Sequence, residues 1–205
     1  MKPILITLLL IMFNANLFAK EMTYTDITSD YNKSYEHERQ NKYKEAIDDL
    51  RNIHANYPDT YTVNFRMGWL YYLNKNYANS IENLQKALSI SPASIEVLNT
   101  IVLVYAAKGE WNKVEEQSVK ALKIDYYNIT ANSWYSHALK MQGKYDLAIK
   151  VDQKMLAVYP TSILFLQELG INLFLNKQKE ESKAVLSNLK ILNPSNEIAD
   201  YYLKQ

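Results

Sequence analysis

Three kinds of residue recur along this chain at intervals of 34 residues or its multiples, and this period constrains the fold more than any other sequence feature. All four glycines, four of the five prolines and a series of four aromatic residues keep this spacing. The recurring positions are Gly109 and Gly143, Gly68 and Gly170, Pro58, Pro92, Pro160 and Pro194, and Tyr43, Tyr77, Trp111 and Tyr145. A period shared by three residue types indicates a stack of equal structural units.

Each unit has the pattern of two helices joined by a turn, which is clearest in residues 61–94. The second half of this unit carries Ile81, Leu84 and Leu88, whose spacing of three and four places them on one face of a helix. Pro92 then ends the helix, because proline cannot continue it. The unit is therefore predicted to be a helical hairpin.

The glycines fall at two different places in these units. Gly68 and Gly170 lie in mid-helix, where glycine costs about 1 kcal/mol relative to alanine. We expect a neighbouring helix to approach closely there. Gly109 and Gly143 lie where the first helix of their unit ends, and we expect them to adopt the left-handed conformation that terminates helices.

The period predicts an all-α chain built from five uninterrupted units. The predicted segments are a linker at 20–26, units at 27–60, 61–94, 95–128, 129–162 and 163–196, and a short C-terminal cap helix at 197–205. Equal hairpins that stack in line bury a continuous core and form an α-solenoid.

The pattern resembles the tetratricopeptide repeat family, whose unit reads W-x2-L-G-x2-Y, then A-x3-F, then P. The second unit matches best, through Gly68, Tyr71, Ala87 and Pro92. The third unit departs from the pattern, because Tyr126 stands at the place of the proline. The resemblance implies a right-handed α-solenoid whose first helices line a concave groove, and protein or peptide binding in that groove.

Residues 1–19 have the layout of a secretory signal. Lys2 precedes an apolar run, and Ala19 is a small residue suited to precede a cleavage site. The run is shorter than the roughly 20 residues that a membrane span requires. We therefore expect an exported protein, periplasmic or secreted. The alternative is an uncleaved segment that anchors the protein to the membrane, facing away from the cytoplasm.

Composition excludes several classes of function. The chain has no cysteine, so disulfides and thiol chemistry are excluded. Its 23 basic and 22 acidic residues balance, whereas a nucleic-acid-binding protein favours a basic face. The three histidines lack metal-ligand spacing, and no nucleophile or acid–base set is evident. We expect no enzyme activity, no metal or other cofactor, and no nucleic-acid partner.

The resemblance also indicates which residues face the groove. They are Tyr31, Tyr35, Arg39, Phe65, Trp69, Tyr72, Asn99, Leu103, Ser133, His137, Lys140 and Gln167. The N-terminal members are aromatic, and aromatic anchors suit partner recognition. For Phe65, Trp69 and Tyr72 two interpretations stay open, contact with a ligand or packing on a neighbouring helix.

These expectations favour a non-enzymatic adaptor of the cell envelope that holds a protein or peptide in its groove. Two alternatives stay open. The aromatic residues suit stacking on a carbohydrate as well, and the chain resembles in outline the repeat proteins that assist pilus or secretion assembly.

Overall fold

The structure, a computed structural model, describes residues 22–205, which contain eleven helices and no strand. The helices are α1 (Tyr24–Arg39), α2 (Tyr43–Asn56), α3 (Tyr61–Leu73), α4 (Tyr77–Ile90), α5 (Ile95–Ala107), α6 (Trp111–Ile124), α7 (Ile129–Met141), α8 (Tyr145–Val158), α9 (Ile163–Leu175), α10 (Lys179–Leu192) and α11 (Glu197–Leu203). The first ten form five hairpins, and α11 packs on α9 and α10. The prediction of an all-α stack of hairpins is confirmed.

The turn inside each hairpin contains one residue with a positive φ, at the same place in all five units. These residues are Asn41 (59°), Lys75 (59°), Gly109 (71°), Gly143 (73°) and Lys177 (65°). The left-handed conformation predicted for the two glycines is confirmed. The other three turns adopt it with asparagine or lysine, which the glycine pattern alone did not reveal.

The second helix of four hairpins ends two residues before a proline. α2 ends at Asn56, α4 at Ile90, α8 at Val158 and α10 at Leu192, ahead of Pro58, Pro92, Pro160 and Pro194. The corresponding residue after α6 is Tyr126. The second helix thus ends at the same place in every unit, two residues before the proline or, after α6, before Tyr126. Position 126 therefore carries an aromatic ring where its counterparts carry proline.

The two mid-helix glycines allow close packing inside a hairpin. A Cβ atom added to Gly68 would lie 2.6 Å from Cγ of Leu84, and one added to Gly170 would lie 2.6 Å from Cγ of Leu186. Ser80 donates a hydrogen bond to the carbonyl of Gly68 over 2.7 Å, which ties the two helices together. The close approach predicted at these glycines is confirmed.

The core follows the line of the stack. Its largest cluster joins α4, α5, α6 and α7 through buried residues such as Leu84, Ile101, Val114 and Ala138. A second cluster joins α1, α2 and α3. Each hairpin therefore buries its apolar faces against its neighbours, as a repeat stack requires.

At the N-terminus, α1 begins at Tyr24, within the segment 20–26 that the period assigned to a linker. Thr23 caps the helix: its hydroxyl accepts a hydrogen bond from the amide of Asp26, and the Asp26 carboxylate accepts one from the Thr23 amide.

The predicted signal, residues 1–19, lies outside the described residues. Between residues 22 and 205, no helix is long and apolar enough to cross a bilayer.

Candidate functional site

The odd-numbered helices line one side of the stack. α3 contacts α5, α5 contacts α7, and α7 contacts α9, whereas even-numbered helices of neighbouring hairpins have no contact of that extent within residues 22–205. We call the surface lined by odd-numbered helices the inner face and the surface lined by even-numbered helices the outer face. All twelve predicted groove residues lie on α1, α3, α5, α7 and α9, as the resemblance implies.

The inner face of the first two hairpins is organised around Glu38. Its carboxylate forms an ion pair with Arg66 and accepts a 2.7 Å hydrogen bond from the indole N–H of Trp69. The Arg66 side chain is only 9% exposed. Its guanidinium lies 4.0 Å from the centre of the Tyr35 ring, in a cation–π contact. α1 and α3 are thus joined by one network of charge and aromatic rings.

The aromatic residues of this region differ in how they pack. Phe65 and Tyr72 pack against the large core cluster, and Tyr31 packs against the N-terminal cluster. Trp69 is half-buried and belongs to neither cluster, and Tyr35 is 45% exposed. Phe65 and Tyr72 thus contact the core and Trp69 packs on Tyr72, with ring centroids 5.5 Å apart, while all three stay half-buried. Tyr35 is the most exposed of these residues.

The fourth and fifth hairpins hold a second buried ion pair on the inner face. Lys140 on α7 contacts Glu168 on α9 at 2.6 Å, and each side chain is 12% exposed. Beside it, His137 packs edge-on against the rings of Trp111 and Trp134. Burial, together with the Lys140 ammonium, lowers the pKa of His137 below its ordinary value. The imidazole is therefore neutral at pH 7.

The remaining predicted residues are less connected. Arg39 pairs with Glu36 in an exposed contact within α1. Gln167 accepts a hydrogen bond from Asn196 over 3.1 Å, and the side-chain oxygen of Asn99 is buried without a hydrogen-bond partner. Leu103 and Ser133 are half-buried. The structure thus brings Tyr31, Tyr35, Phe65, Trp69 and Tyr72 together near one end, and His137 with Lys140 near the other.

Sequence reasoning missed Arg66 and Glu168, the buried partners of Glu38 and Lys140. Both lie at the sixth place of their unit, and each pairs with a residue 28 positions earlier. The sequence does contain a signal for these ion pairs, because residues of opposite charge occur 28 positions apart in two pairs of neighbouring units. Whether such residues meet depends on how the helices stack, which the period alone does not specify.

A third polar group is buried between α7, α8 and α9. Asp152 is fully buried and accepts a 2.7 Å hydrogen bond from Asn172, while its other oxygen has no partner. Burial raises the pKa of Asp152 to about 7, although hydrogen bonds from Ser136 and Asn172 act in the opposite direction.

Among residues 22–205, no three His, Cys, Asp or Glu side chains are placed to hold a metal ion.

Two models of the tetratricopeptide repeat family match adjacent segments of the chain, residues 33–60 and 61–94. These segments contain the last part of α1 and all of α2, α3 and α4. They include Tyr35, Glu38, Arg66 and Trp69.

Solved structures share the fold at low sequence identity. A MamA protein is 14% identical with a TM-score of 0.73, over 85% of this chain and 96% of that one. YrrB, described as a TPR protein with an unusual peptide-binding site, is 14% identical with a TM-score of 0.72, over 86% and 91%. A tetratricopeptide repeat protein of Parabacteroides merdae ATCC 43184 is 16% identical with a TM-score of 0.69, over 89% and 75%. No curated protein sequence matches the chain.

Proposed function

This chain is a tetratricopeptide repeat protein, and we propose that it is a scaffold that binds a partner protein or peptide on its inner face. The proposal rests on the placement of Trp69 and Tyr35 around one ion pair. Both rings lie outside the core clusters, and both are held by the Glu38–Arg66 ion pair. Rings that are fixed before binding lose little conformational entropy on contact, which suits them as anchors.

The charges of the inner face favour an apolar or aromatic anchor on the partner. Arg66 is neutralised by Glu38, Lys140 by Glu168, and Arg39 by Glu36. A site for a carboxylate terminus requires cations that are free to pair with it. The proposed partner therefore inserts a bulky side chain beside Trp69, and its backbone polar groups contact the rim.

Export is part of this proposal and rests on residues 1–19. Cell fractionation with N-terminal sequencing tests it. The expected result is a chain outside the cytoplasm that begins at Lys20. A chain that retains Met1 in the membrane fraction supports the anchored alternative, and one that retains Met1 in the cytoplasm contradicts export.

The test of binding begins by replacing Tyr35 with p-benzoylphenylalanine and crosslinking in the native cell. The same residue in place of Tyr201, which is 60% exposed on α11, serves as the control. The affinity of a protein crosslinked only from position 35 is then measured with the purified chain. We expect Trp69→Ala to weaken binding by about 2 kcal/mol, as for a central aromatic anchor.

Two outcomes contradict the proposal. One is an identical set of crosslinked proteins from positions 35 and 201. The other is an affinity that neither Trp69→Ala nor Tyr35→Ala changes. Retention of a purified oligosaccharide that is lost in Trp69→Ala, with no protein crosslinked, instead favours the carbohydrate-binding alternative.

A further inference from the structure

The outer face carries a groove between α6 and α8 whose lining is largely apolar. Its volume is about 450 Å³, and the ring of Tyr135 from α7 contributes to its lining. The apolar lining comes from Val119, Leu122, Leu147 and Val151. We call this surface the α6/α8 groove. It lies on the opposite side of the stack from Trp69 and Tyr35.

One wall of the α6/α8 groove exists because the third unit, residues 95–128, departs from the repeat pattern. Tyr126 occupies the place that proline holds in the other four units, and it lines the groove. Tyr126 is 58% exposed, and the Lys154 ammonium lies 4.0 Å from the centre of its ring. The substitution thus adds an aromatic wall and holds a cation beside it.

The charge of the groove is uncompensated. Its titratable cations are Lys123, Lys150 and Lys154, and among the described residues no carboxylate lies within 4.0 Å of their amines. The Lys154 amine donates instead to Asn132 and to the backbone carbonyl of Tyr126. Burial lowers its pKa from the ordinary value. Three cations therefore face an apolar surface without a counterion.

The lysines equivalent to Lys154 in the two preceding units are paired. Lys120 and Lys86 lie one and two units before Lys154 at the same place. Lys86 contacts Asp59 at 2.5 Å, and Lys120 contacts Glu116 at 2.7 Å. The corresponding groove between α2 and α4 carries Glu82 and three amide side chains. The lining of the α6/α8 groove thus lacks a carboxylate such as Glu82 in the groove between α2 and α4.

We propose that the α6/α8 groove binds an acidic segment of a second partner protein. A bulky apolar side chain of that segment occupies the groove between Leu147 and Tyr126, and flanking carboxylates pair with the three lysines. The volume suits one or two such side chains. Leu147 is 46% exposed at the groove, so a partner with its own surface can cover this wall, whereas a single acyl chain would leave it in water.

The test uses two pools of short amphipathic peptides that place Leu or Phe at helical spacing. One pool carries Asp and Glu at the other positions, and its matched counterpart carries Lys and Arg. Binding to the full chain is measured by fluorescence anisotropy at low and high salt. We expect the acidic pool to bind, the basic pool not to bind, and salt to weaken binding by screening.

The key variant is the double substitution Lys123→Glu and Lys150→Glu. Its matched control, Lys44→Glu with Lys183→Glu, changes the net charge equally at exposed lysines away from the groove. We expect the first variant to weaken binding of the acidic pool at least about tenfold and the control to leave it unchanged. Trp69→Ala, on the inner face, is also expected to leave it unchanged.

Three results overturn the inference. They are equal binding of the acidic and basic pools, equal loss in the two double variants, and no binding of the acidic pool at any accessible concentration. Vesicles with anionic lipid that bind the chain through Lys123 and Lys150, while the peptides do not, would replace the partner protein with a membrane surface. Circular dichroism of every variant confirms that the helices are retained.

Discussion

Trp69 donates its indole N–H to Glu38 over 2.7 Å, and the same carboxylate neutralises the buried guanidinium of Arg66. One side chain of α1 therefore binds two side chains of α3. A proposed binding anchor and a buried charge thus depend on the same group, so stability and recognition are linked at this point of the inner face.

Glu38→Ala is predicted to destabilise the protein by about 3 kcal/mol, because it leaves the Arg66 charge buried without a counterion. Urea unfolding followed by circular dichroism measures the change. Glu36→Ala is the matched control, since its pair with Arg39 is exposed and contributes less than about 1 kcal/mol. Equal losses in the two variants would show that Arg66 reaches water.

Gly170→Ala is predicted to destabilise the fifth hairpin by about 1–3 kcal/mol, because the added methyl group overlaps buried Leu186. The sign should reverse in a Leu186→Ala background, where space is available and alanine gains about 1 kcal/mol of helix propensity. Thermal unfolding of the four variants in this cycle measures the coupling. A substitution that destabilises equally in both backgrounds would exclude steric overlap as the cause.

The stability of the protein is predicted to depend on Asp152 between about pH 4 and pH 7. The folded pKa, about 7, lies above the ordinary value of 3.8, so the folded state holds a proton that the unfolded state has lost. This contribution is complete below pH 3.8 and disappears as pH rises through 7. Urea unfolding at a series of pH values should therefore show a decline that Asp152→Asn lacks. A decline that persists in the variant would have to come from another group.

Phe65→Ala and Trp69→Ala are predicted to have different effects, because the two rings differ in packing. Phe65 packs against the large core cluster, so its loss should reduce the free energy of unfolding by about 3 kcal/mol. Trp69 belongs to no core cluster, and its loss should reduce stability less and partner binding more. Urea unfolding and binding to the crosslinked partner separate the two effects, and a larger stability loss for Trp69→Ala would place it in the core.

The period predicted most of the fold, because a shared spacing of glycines, prolines and aromatic residues leaves few alternatives to stacked hairpins. It did not locate the start of α1. That boundary is set by the capping box of Thr23 and Asp26, a local signal outside the repeat. The positive φ values of Lys75 and Lys177 were not predicted either, because lysine rarely adopts a positive φ. Only the position of these two residues in the hairpin turn requires that conformation.

The sequence predicted which helices carry the candidate groove residues, but not the contacts that these residues make. The resemblance predicted that Trp69, Tyr35 and Lys140 face the groove, and the structure places all three on odd-numbered helices. It did not identify Arg66 and Glu168, because a buried ion pair arises from two units packed together. Nor did composition reveal the lysines of the α6/α8 groove, since their significance lies in the absence of a paired carboxylate, which Lys86 and Lys120 have at the place of Lys154.

α7 packs on both α6 and α8, and it carries Tyr135 of the α6/α8 groove as well as His137 and Lys140 of the inner face. A single helix therefore separates the two surfaces at this point of the stack. A displacement of α7 that admits a side chain between α6 and α8 would displace His137 and Lys140 by the same movement.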